Sequence, residues 1–371
     1  MFLNSMGKSK HRLTTIIFER MTKPKDGKNR FASRIETTHR DSWLVFNIWV
    51  TTGQILKSTT KFDPDTRLLI EQIKESIKKT KPDIFFLNGF SALTFLVLKA
   101  VHELDIPVVT THHGIWLKEY MALKSLVKKN TIKYRKELER DTVRYATKNI
   151  FLSNLSLKEF EKHLIKVPKN QLEFIRIPYN PVFVHKTMPK QHHTKNLKLL
   201  MVGRWDGVKN HEAYLALAKR AKQLKLPWTF YSVCNLYDYP HYNKIRKDYE
   251  KYIKVLPGMG PEALKNVYLD CDITVLPSHF DVYPGVVTES ILQNRPSVIS
   301  KNVGWVDEFK KHGIEHWITD FTNPDKAIAK IKQVSQEQVP KSLYNDILVN
   351  NNPALIFKQY FKLFERMKKW T

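Results

Sequence analysis

The 371-residue sequence contains few cysteines and no long uninterrupted apolar run. Its two cysteines, Cys234 and Cys271, cannot form a disulfide framework or a four-ligand zinc site, so we expect a reducing, cytosolic setting. The most apolar stretch, residues 84–101, contains polar residues such as Asn88 and Lys99, and it is predicted to be a buried strand followed by a packed helix. The segment MFLNSMGKSKHR lacks the apolar centre of a signal peptide. These absences predict a soluble or peripheral protein.

Internal repeats, low-complexity tracts and a convincing metal motif are also missing. The Asp-Pro-Asp motif at residues 63–65 matches the D-x-D of metal-dependent sugar transferases, but it precedes a long amphipathic stretch and is more typical of a helix N-terminus. His211 and Glu212 lack the second histidine of a zinc-protease helix. The His-His pair at residues 192–193 has no acidic or cysteine partners nearby. We therefore expect no metal ion.

Length and composition indicate two folded domains. Hydrophobic residues make up 42% of the chain and aromatic residues 12%, which is enough to build cores and excludes wholesale disorder. A chain of 371 residues is about twice the usual size of one domain.

The net charge of +26 is distributed unevenly. Residues 1–200 contain 37 Lys+Arg and 18 Asp+Glu, whereas residues 251–350 contain 11 and 12, and the last 21 residues contain 5 and 1. A basic surface attracts phosphates, which belong to nucleic acid, to anionic lipid head groups or to a phosphorylated substrate. The alternative is a solubilising surface without a partner.

Short apolar runs alternate with amphipathic stretches through most of the chain. Such alternation predicts an α/β fold with doubly wound parallel sheets. Strands are predicted at residues 14–19, 43–49, 84–87, 108–111, 149–152, 197–202, 228–233, 273–276 and 297–300, and helices at 64–79, 92–104 and 211–224. Residues 178–195 contain three prolines and predict a linker between two Rossmann-like halves. Ligands of such sheets bind beyond the carboxyl ends of the strands.

The first strand–helix junction whose residues could bind a ligand is VGRWDGVKNHE. Gly203 permits a tight turn, Arg204 and Lys209 flank the loop, and Asn210 is expected to cap the following helix. A diphosphate at this place would meet two cations and the unpaired N–H groups of a helix N-terminus. The alternative is a solvated loop with incidental basic residues.

The second junction is LPSHFDVYPGVVTESILQNRPSVIS. Asp281 is expected in the loop and Glu289 one turn into a helix that begins near Pro284 and Gly285. Two ionised carboxylates so placed can accept hydrogen bonds from separate sugar hydroxyls. Considered alone, Asp281 is better explained as a loop or cap residue, and Glu289 as a surface residue of the helix.

In the first half, the strand IPVVT leads into THHG. His113 and Gly114 fall at the carboxyl end of that strand, where a side chain can point into a cleft. The alternative is a structural histidine.

Together, these residues resemble the retaining GT-B glycosyltransferases of family 4, the group 1 transferases. The resemblance is strongest between residues 197 and 325. The motif G-R-x4-K appears as Gly203, Arg204 and Lys209, and E-x7-E appears as Asp281-x7-Glu289. The stretch VLPGMGPEALKNVYLDCDITVLPS is similar to the family's segment from its base-binding loop onward, and VGWVDEF to its Gly-Gly-x-x-Glu segment. Weaker similarities are IPVVTTHHG, LERDTVRYATKNIFLSN and IPYNPVF.

The resemblance implies a GT-B fold: two Rossmann-like doubly wound domains facing a cleft, with a C-terminal helix that crosses back to the first domain. It implies an acceptor-binding domain at residues 1–185, a nucleotide-sugar-binding domain at 196–345 and the returning helix within 346–371. The segment NPALIFKQYFKLFERMKKW has apolar residues at helical spacing and suits that helix.

The resemblance also implies roles for individual residues. Arg204 and Lys209 would hold the donor's diphosphate, and Asp281 and His113 would contact the sugar or the reaction centre. The nucleotide-sugar site is completed by a further set of residues: Gly203, Gly258, Gly285, Val286 and Glu289. Of these, Glu289 would accept from the ribose, whereas Gly285 and Val286 would offer backbone N–H groups. Family chemistry uses no metal or other cofactor, retains the anomeric configuration and depends on stabilisation of the departing diphosphate.

The sequence departs from the family pattern at several positions. Asp281 replaces the usual first glutamate, Pro284 stands where glycine is frequent, and Trp305 replaces the second glycine of the later motif and is expected to narrow the donor pocket. The glycine-rich loop near the N-terminus is reduced to KPKDGKN, with Gly27 alone.

The basic first half bears on the partner. Residues 118–148 contain 10 Lys+Arg and 4 Asp+Glu with interspersed apolar residues such as Met121 and Leu126, and they predict either an interfacial helix on an anionic membrane or an ordinary amphipathic helix. The predicted function is transfer of a hexose from a nucleotide-diphosphate sugar to a lipid-linked or cell-surface glycan, at the cytoplasmic side of a membrane. The alternative is a glycosyltransferase acting on nucleic acid, or a nucleic-acid-binding protein on a degenerate GT-B scaffold.

Overall fold

The computed structural model describes residues 14–20, 34–40, 43–50, 64–89, 92–122, 129–191, 196–235 and 243–368. Within these residues the strands are β1 (Thr14–Arg20), β2 (Arg34–Arg40), β3 (Trp43–Val50), β4 (Phe85–Asn88), β5 (Val108–His112), β6 (Lys148–Phe151), β7 (Leu172–Phe174), β8 (Lys198–Val202), β9 (Thr229–Val233), β10 (Lys254–Leu256), β11 (Ile273–Leu276), β12 (Ser297–Ser300) and β13 (Ile318–Thr319).

The α-helices alternate with these strands. They are α1 (Pro64–Thr80), α2 (Ala92–His102), α3 (Trp116–Ala122), α4 (Lys129–Tyr145), α5 (Asn154–His163), α6 (His211–Gln223), α7 (Asn243–Tyr252), α8 (Pro261–Asp270), α9 (Gly285–Leu292), α10 (Val306–Lys311), α11 (Pro324–Val334), α12 (Lys341–Asn350) and α13 (Pro353–Lys368). Short 3-10 helices include Pro181–Phe183 and Gly207–Lys209. Among the described residues, no helix is long and apolar enough to span a membrane.

Two parallel sheets form the two halves predicted from the sequence. The first half contains a four-stranded sheet in the order β4-β5-β6-β7, and the second a six-stranded sheet in the order β10-β9-β8-β11-β12-β13. All strand pairs within these two sheets are parallel. The six-stranded sheet has the non-sequential strand order of a doubly wound fold, and the strands of both sheets alternate with helices, so the predicted α/β architecture is confirmed.

The N-terminal strands form a third sheet in the order β1-β3-β2. Here β1 is parallel to β3, but β2 runs antiparallel to it along its whole length, from Arg34 beside Trp49 to Arg40 beside Trp43. Strand β2 is not among the strands predicted from the sequence. Only two residues separate β2 from β3 along the sequence, which is enough for an antiparallel pairing and too few for a parallel crossover.

The core is continuous between the two halves. Ile115 and Phe151 of the first half belong to the same cluster of buried apolar residues as Trp205 and Val282 of the second. Ser153, which caps α5, also donates from its hydroxyl to the Val282 carbonyl at 2.7 Å. The halves are therefore joined both by apolar packing and by a buried hydrogen bond.

The C-terminal helix returns to the first half, as predicted. The rings of Tyr360 and Phe364 on α13 lie 5.2 and 5.6 Å from the ring of Phe86 on β4. Ile356 and Leu363 on the same face are buried against the first sheet. The apolar spacing seen in the sequence is thus explained by packing on the sheet of the other half.

The predicted linker at 178–195 is held by side chains of the second half over its described part. Asn294 donates to the Pro189 carbonyl at 2.7 Å, and buried Arg295 donates to the Lys190 carbonyl at 3.0 Å. Residues 192–195, which include the histidine pair that was assigned no metal-binding role, lie outside the described residues. The boundaries assigned to the domains stay predictions.

The basic run at 118–148 includes α3 and α4, with residues 123–128 outside the described part. On α4, Leu138 and Val143 are buried, as expected of an amphipathic helix that covers the sheet. Met121 at the end of α3 is 46% exposed. The membrane interpretation therefore stays a prediction. Gly27 and Asp63 also lie outside the described residues, while Pro64 begins α1.

Candidate active site

The two junctions singled out in the second half meet because β8 and β11 are neighbours in the sheet. Asn210, in the loop after β8, donates from its side chain to the Pro277 carbonyl at 3.1 Å in the loop after β11. In return, the His279 N–H donates to the Val208 carbonyl at 2.8 Å. The parallel topology therefore combines the two predicted motifs into one site at the carboxyl edge of the sheet.

Lys209 and Asp281 form an ion pair at the centre of this site. Lys209 Nζ lies 2.5 Å from Asp281 Oδ2, and the two side chains are only 16% and 13% exposed. Gly203 leaves space for the lysine, because a Cβ at that position would lie 3.2 Å from Lys209 Cγ and 3.3 Å from Cδ. The glycine, the lysine and the acid are thus matched to one another in space.

Arg204 projects from the same loop. Its side chain is 55% exposed, and its Nε lies 3.1 Å from Oδ2 of Asp206. Asp206 is almost fully buried and also accepts from the N–H groups of Val208 and Lys209 at 3.1 and 3.2 Å. One buried carboxylate therefore fixes the turn that carries both cations.

His211 holds the backbone of Arg204 through a hydrogen bond. Its Nε2 donates to the Arg204 carbonyl at 2.8 Å, and its Nδ1 accepts from the Tyr249 hydroxyl at 2.9 Å. Burial lowers the pKa of His211 to about 4, so the ring is neutral at physiological pH. Both ring nitrogens are therefore engaged in hydrogen bonds. Asn210 adopts the left-handed conformation and caps α6 through Ala213, as predicted.

Asp281 is held by its backbone against the segment that precedes α10. Its N–H donates to the Asn302 carbonyl at 3.1 Å, and its carbonyl accepts from Gly304 at 2.8 Å. A Cβ at Gly304 would come within 1.8 Å of the Val282 carbonyl oxygen and 2.6 Å of Ser153 Oγ. Only glycine permits this close approach.

Trp305 follows, and the expectation that it narrows the donor pocket is wrong. Its ring is fully buried and stacks on Tyr283 at 4.8 Å. Its indole N–H donates to the Pro284 carbonyl at 3.2 Å. The indole therefore stabilises the start of α9 from beneath instead of lining the cleft.

Glu289 lies one turn into α9, as predicted, and accepts from the Tyr268 hydroxyl at 2.9 Å. Burial raises the pKa of Glu289, whereas the bond from Tyr268 lowers it. The first N–H groups of α9, on Gly285 and Val286, have no intrahelical acceptor and carry the positive end of the helix dipole.

Gly258 lies at the same sheet edge but farther along, after β10. Its N–H donates to the side-chain oxygen of Asn235 at 3.0 Å, and no hydrogen bond between described residues joins it to Lys209 or Asp281. The structure thus brings Gly203, Arg204, Lys209 and Asp281 together and leaves Gly258 at the margin.

The first half contributes His113, which follows β5. Its Nε2 donates to the side-chain oxygen of Asn88 at 2.7 Å, from the neighbouring strand end. The ring remains accessible to solvent, yet desolvation by the surrounding protein lowers its pKa. The preceding His112 instead points into the core, stacks on Phe151 at 4.5 Å and is fully buried. Strand alternation separates the two histidines.

Sequence reasoning missed Glu119. This residue lies on α3, which packs against the Gly207–Lys209 turn of the second half. Its pKa is raised, first by burial, and the charged groups that act on it include Arg204 and Asp281. No motif identifies Glu119 in the sequence, where it is one acid in a basic run.

One group of described residues has the spacing of metal ligands: Glu308, His312 and Asp346, with ligand atoms within 4.8 Å of one another. Both carboxylates, however, are ion-paired with Arg176, at 2.6 and 2.5 Å. This cluster ties the segment after β7 to α10 and α12, and the guanidinium neutralises charge on both carboxylates.

Comparison with known proteins agrees with this geometry. The family described as Glycosyl transferases group 1 matches residues 185–350, and the family described as Glycosyltransferase Family 4 matches residues 31–182. No curated protein matches the sequence significantly.

Solved structures share the fold. Sucrose-phosphate synthase from Thermosynechococcus elongatus superposes with a TM-score of 0.70 at 14% identity, over 96% of this chain and 89% of that one. An alpha,alpha-trehalose-phosphate synthase (UDP-forming) from Burkholderia xenovorans, in complex with glucose-6-phosphate, gives 0.68 at 10% identity, over 98% and 94%. A trehalose-6-phosphate protein from E. coli bound with UDP-2-fluoro glucose gives 0.66 at 12% identity, over 95% and 98%. Two family matches that succeed each other along the chain, on a fold of this kind, identify the protein as a GT-B glycosyltransferase of the family 4 type.

Proposed function

We propose that the protein is a retaining glycosyltransferase that moves a hexose from a nucleotide-diphosphate sugar to an acceptor hydroxyl without a metal ion. The observation that carries the proposal is the placement of Arg204, Lys209 and Asp281 at one sheet edge, beside the N-terminus of α9. In this proposal residues 1–185 bind the acceptor, 196–345 bind the donor and 346–371 return to the first half.

The donor site follows from the chemistry of these groups. Arg204 and Lys209 bind the diphosphate, and the N–H groups of Gly285 and Val286 add the field of the helix N-terminus. Asp281 accepts from sugar hydroxyls, because a carboxylate has acceptor sites only. One turn into α9, Glu289 accepts from the ribose.

The reaction exchanges one bond at the anomeric carbon for another on the same face. The bond from C1 to the phosphate oxygen breaks, the bond from C1 to the acceptor oxygen forms, and the acceptor's proton passes to the departing phosphate. Arg204 and Lys209 stabilise the charge that develops on that phosphate, which is the main electrostatic contribution. His113 contacts the sugar from the first half.

The proposed acceptor is a lipid-linked or cell-surface glycan at the cytoplasmic face of a membrane. The support is the charge asymmetry, with 37 Lys+Arg against 18 Asp+Glu in residues 1–200. The bound UDP-2-fluoro glucose of the E. coli protein supports the donor class only.

Calorimetric titration with UDP, GDP and ADP tests the donor site. We expect one nucleotide to bind in the micromolar range and Arg204→Ala to weaken it at least about tenfold, since a charge-assisted hydrogen bond contributes about 1.5–3 kcal/mol. Arg220→Ala is the matched control, because Arg220 is also a half-exposed arginine but pairs with Asp325 on the surface. Absence of binding by all three nucleotides would refute the proposal.

Sedimentation with liposomes tests the acceptor side. We expect binding to vesicles that contain phosphatidylglycerol at low salt and none to neutral vesicles. Preference for duplex DNA over these vesicles, retained at moderate salt, would favour the nucleic-acid alternative instead.

A further inference from the structure

Helix α3 of the first half is fixed at the cleft by a buried carboxylate. Both oxygens of Glu139 accept from its first turn, at 2.6 Å from the Trp116 N–H and 2.8 Å from the Leu117 N–H. The guanidinium of Arg135 lies 3.9 Å from the ring centre of Tyr120 on the same helix. A helix held at its start and on its side gives its side chains a defined position.

Glu119 lies on the side of α3 that faces the second half. A Cβ built at Gly114 would come within 2.5 Å of Glu119 Oε1, so the carboxylate lies directly against the loop that carries His113. The adjacent Lys118 has its ammonium 5.7 Å from the ring centre of Phe280, in the loop that carries Asp281. The carboxylate of Glu119 is thus placed between the loops of the two halves.

When Glu119 is ionised, the charged groups at this place do not balance. From the second half it is faced by two cations and two carboxylates: Arg204, Lys209, Asp206 and Asp281. From the first half it is faced by the loop at Gly114 and by the carboxyl of Glu139.

Each cation already has its own carboxylate. Arg204 pairs with Asp206 at 3.1 Å, and Lys209 pairs with Asp281 at 2.5 Å. The carboxylate of Glu119 has neither an ion pair nor a hydrogen bond from any residue in the described part of the chain. When all three acids are ionised, the group carries an excess negative charge even before a diphosphate enters.

We infer that Glu119 closes the diphosphate site from the first half and takes up a proton from solvent when the donor binds. This inference rests on the proposed function. An ionised carboxylate beside a diphosphate would repel it, whereas a protonated carboxyl group donates its O–H to a phosphate oxygen. Protonation therefore removes the repulsion between Glu119 and the donor and replaces it with a hydrogen bond.

The ionisation of Glu119 in the free protein agrees with this role. Burial raises the pKa of Glu119, Arg204 and Lys209 lower it, and Asp206 and Asp281 raise it. Two further negative charges at the phosphates raise the pKa again, so binding draws in a proton between the free and the bound value. In that range the affinity for the donor falls as pH rises, by up to about tenfold per pH unit for one linked proton.

Calorimetry with UDP-glucose, GDP-mannose and ADP-glucose tests the inference. These diesters have no titrating phosphate near neutral pH, unlike UDP, whose terminal phosphate has a second pKa of about 6. Titrations in buffers of different ionisation enthalpy, between about pH 5.5 and about pH 8.5, give the number of protons taken up. The variant is Glu119→Gln. Glutamine keeps the shape of the side chain, and its amide N–H donates a hydrogen bond without taking up a proton from solvent. The matched control is Glu137→Gln, an acid on α4 that pairs with Arg140.

We expect wild type and Glu137→Gln to take up a proton and to lose affinity as pH rises. Glu119→Gln should take up none and should keep the affinity of the acid limit throughout. Two outcomes would overturn this inference and leave the proposed function intact. One is binding of the donor without proton uptake. The other is proton uptake that persists in Glu119→Gln, which would then belong to His113 or Glu139. If no sugar nucleotide binds either protein, the proposed function fails and the inference fails with it.

Discussion

The ion pair between Lys209 and Asp281 permits a test that separates structural from ligand-binding roles. In Lys209→Met the carboxylate of Asp281, only 13% exposed, loses its partner at 2.5 Å. A mostly buried carboxylate without its partner costs about 1–3 kcal/mol. For a domain of this size each kcal/mol lowers Tm by roughly 2–4 °C, so the expected loss is about 2–12 °C.

The second variant, Asp281→Asn, removes the charge that the first leaves unpaired. We expect the double variant to recover most of the lost stability, because no buried charge remains without a partner. Binding of the preferred nucleotide diphosphate should behave differently. Lys209→Met should weaken it about tenfold to a hundredfold in both the single and the double variant, since the cation is absent from both.

Asp281→Asn alone should strengthen binding of the sugar-free nucleotide, because Lys209 is released and a nearby negative charge is removed. Thermal unfolding and calorimetry on the four proteins measure both effects. Wild-type nucleotide affinity in Lys209→Met would refute the reasoning, because Lys209 would then serve only to neutralise Asp281. Recovery of both stability and affinity in the double variant would refute it equally.

Two further predictions concern the supports of the site. Gly304→Ala should lower the free energy of unfolding by about 3 kcal/mol or more, because its Cβ would lie 1.8 Å from the Val282 carbonyl oxygen. The control is Gly260→Ala, whose Cβ would have no atom within 4 Å, and it should lower the free energy of unfolding by less than about 1 kcal/mol. Equal melting temperatures of the two variants would contradict the expectation. Tyr268→Phe removes the donor that lowers the pKa of Glu289, so nucleotide affinity should begin to fall at a higher pH on acidification than in wild type. Calorimetry across pH measures that shift, and an unchanged profile would show that the bond does not matter.

The sequence predicted the buried strands well because their apolar runs have no alternative to burial. Each of the nine predicted strands overlaps an observed strand, among them β8 with Leu199 and Leu200 fully buried. The strands that escaped prediction are short or polar. β7 and β10 have three residues each, and β2, with the sequence RIETTHR, has no apolar run. Such strands are stabilised by pairing with a neighbour, which local sequence does not reveal.

The site was predictable where one motif contained its own geometry. Arg204 and Lys209 share one turn, and Asp281 and Glu289 flank one helix start, so spacing alone placed them. Glu119 was not predictable, because its relevance depends on how α3 packs against the other half. Trp305 was misassigned for a related reason: its neighbours show that a large ring stands there, but not that it points into the core.

The internal pairing of the cations also bears on what the site selects. A diphosphate without a sugar competes with Asp281 for Lys209 and leaves that carboxylate without a partner. A free sugar offers hydroxyls to Asp281, but it leaves Lys209 without an anion to replace the carboxylate that lies 2.5 Å away. A nucleotide sugar carries both groups in one molecule, so its hydroxyls satisfy the acid while its phosphates satisfy the lysine. Because an unpaired buried charge is costly, the ion pair disfavours both fragments and favours the intact donor.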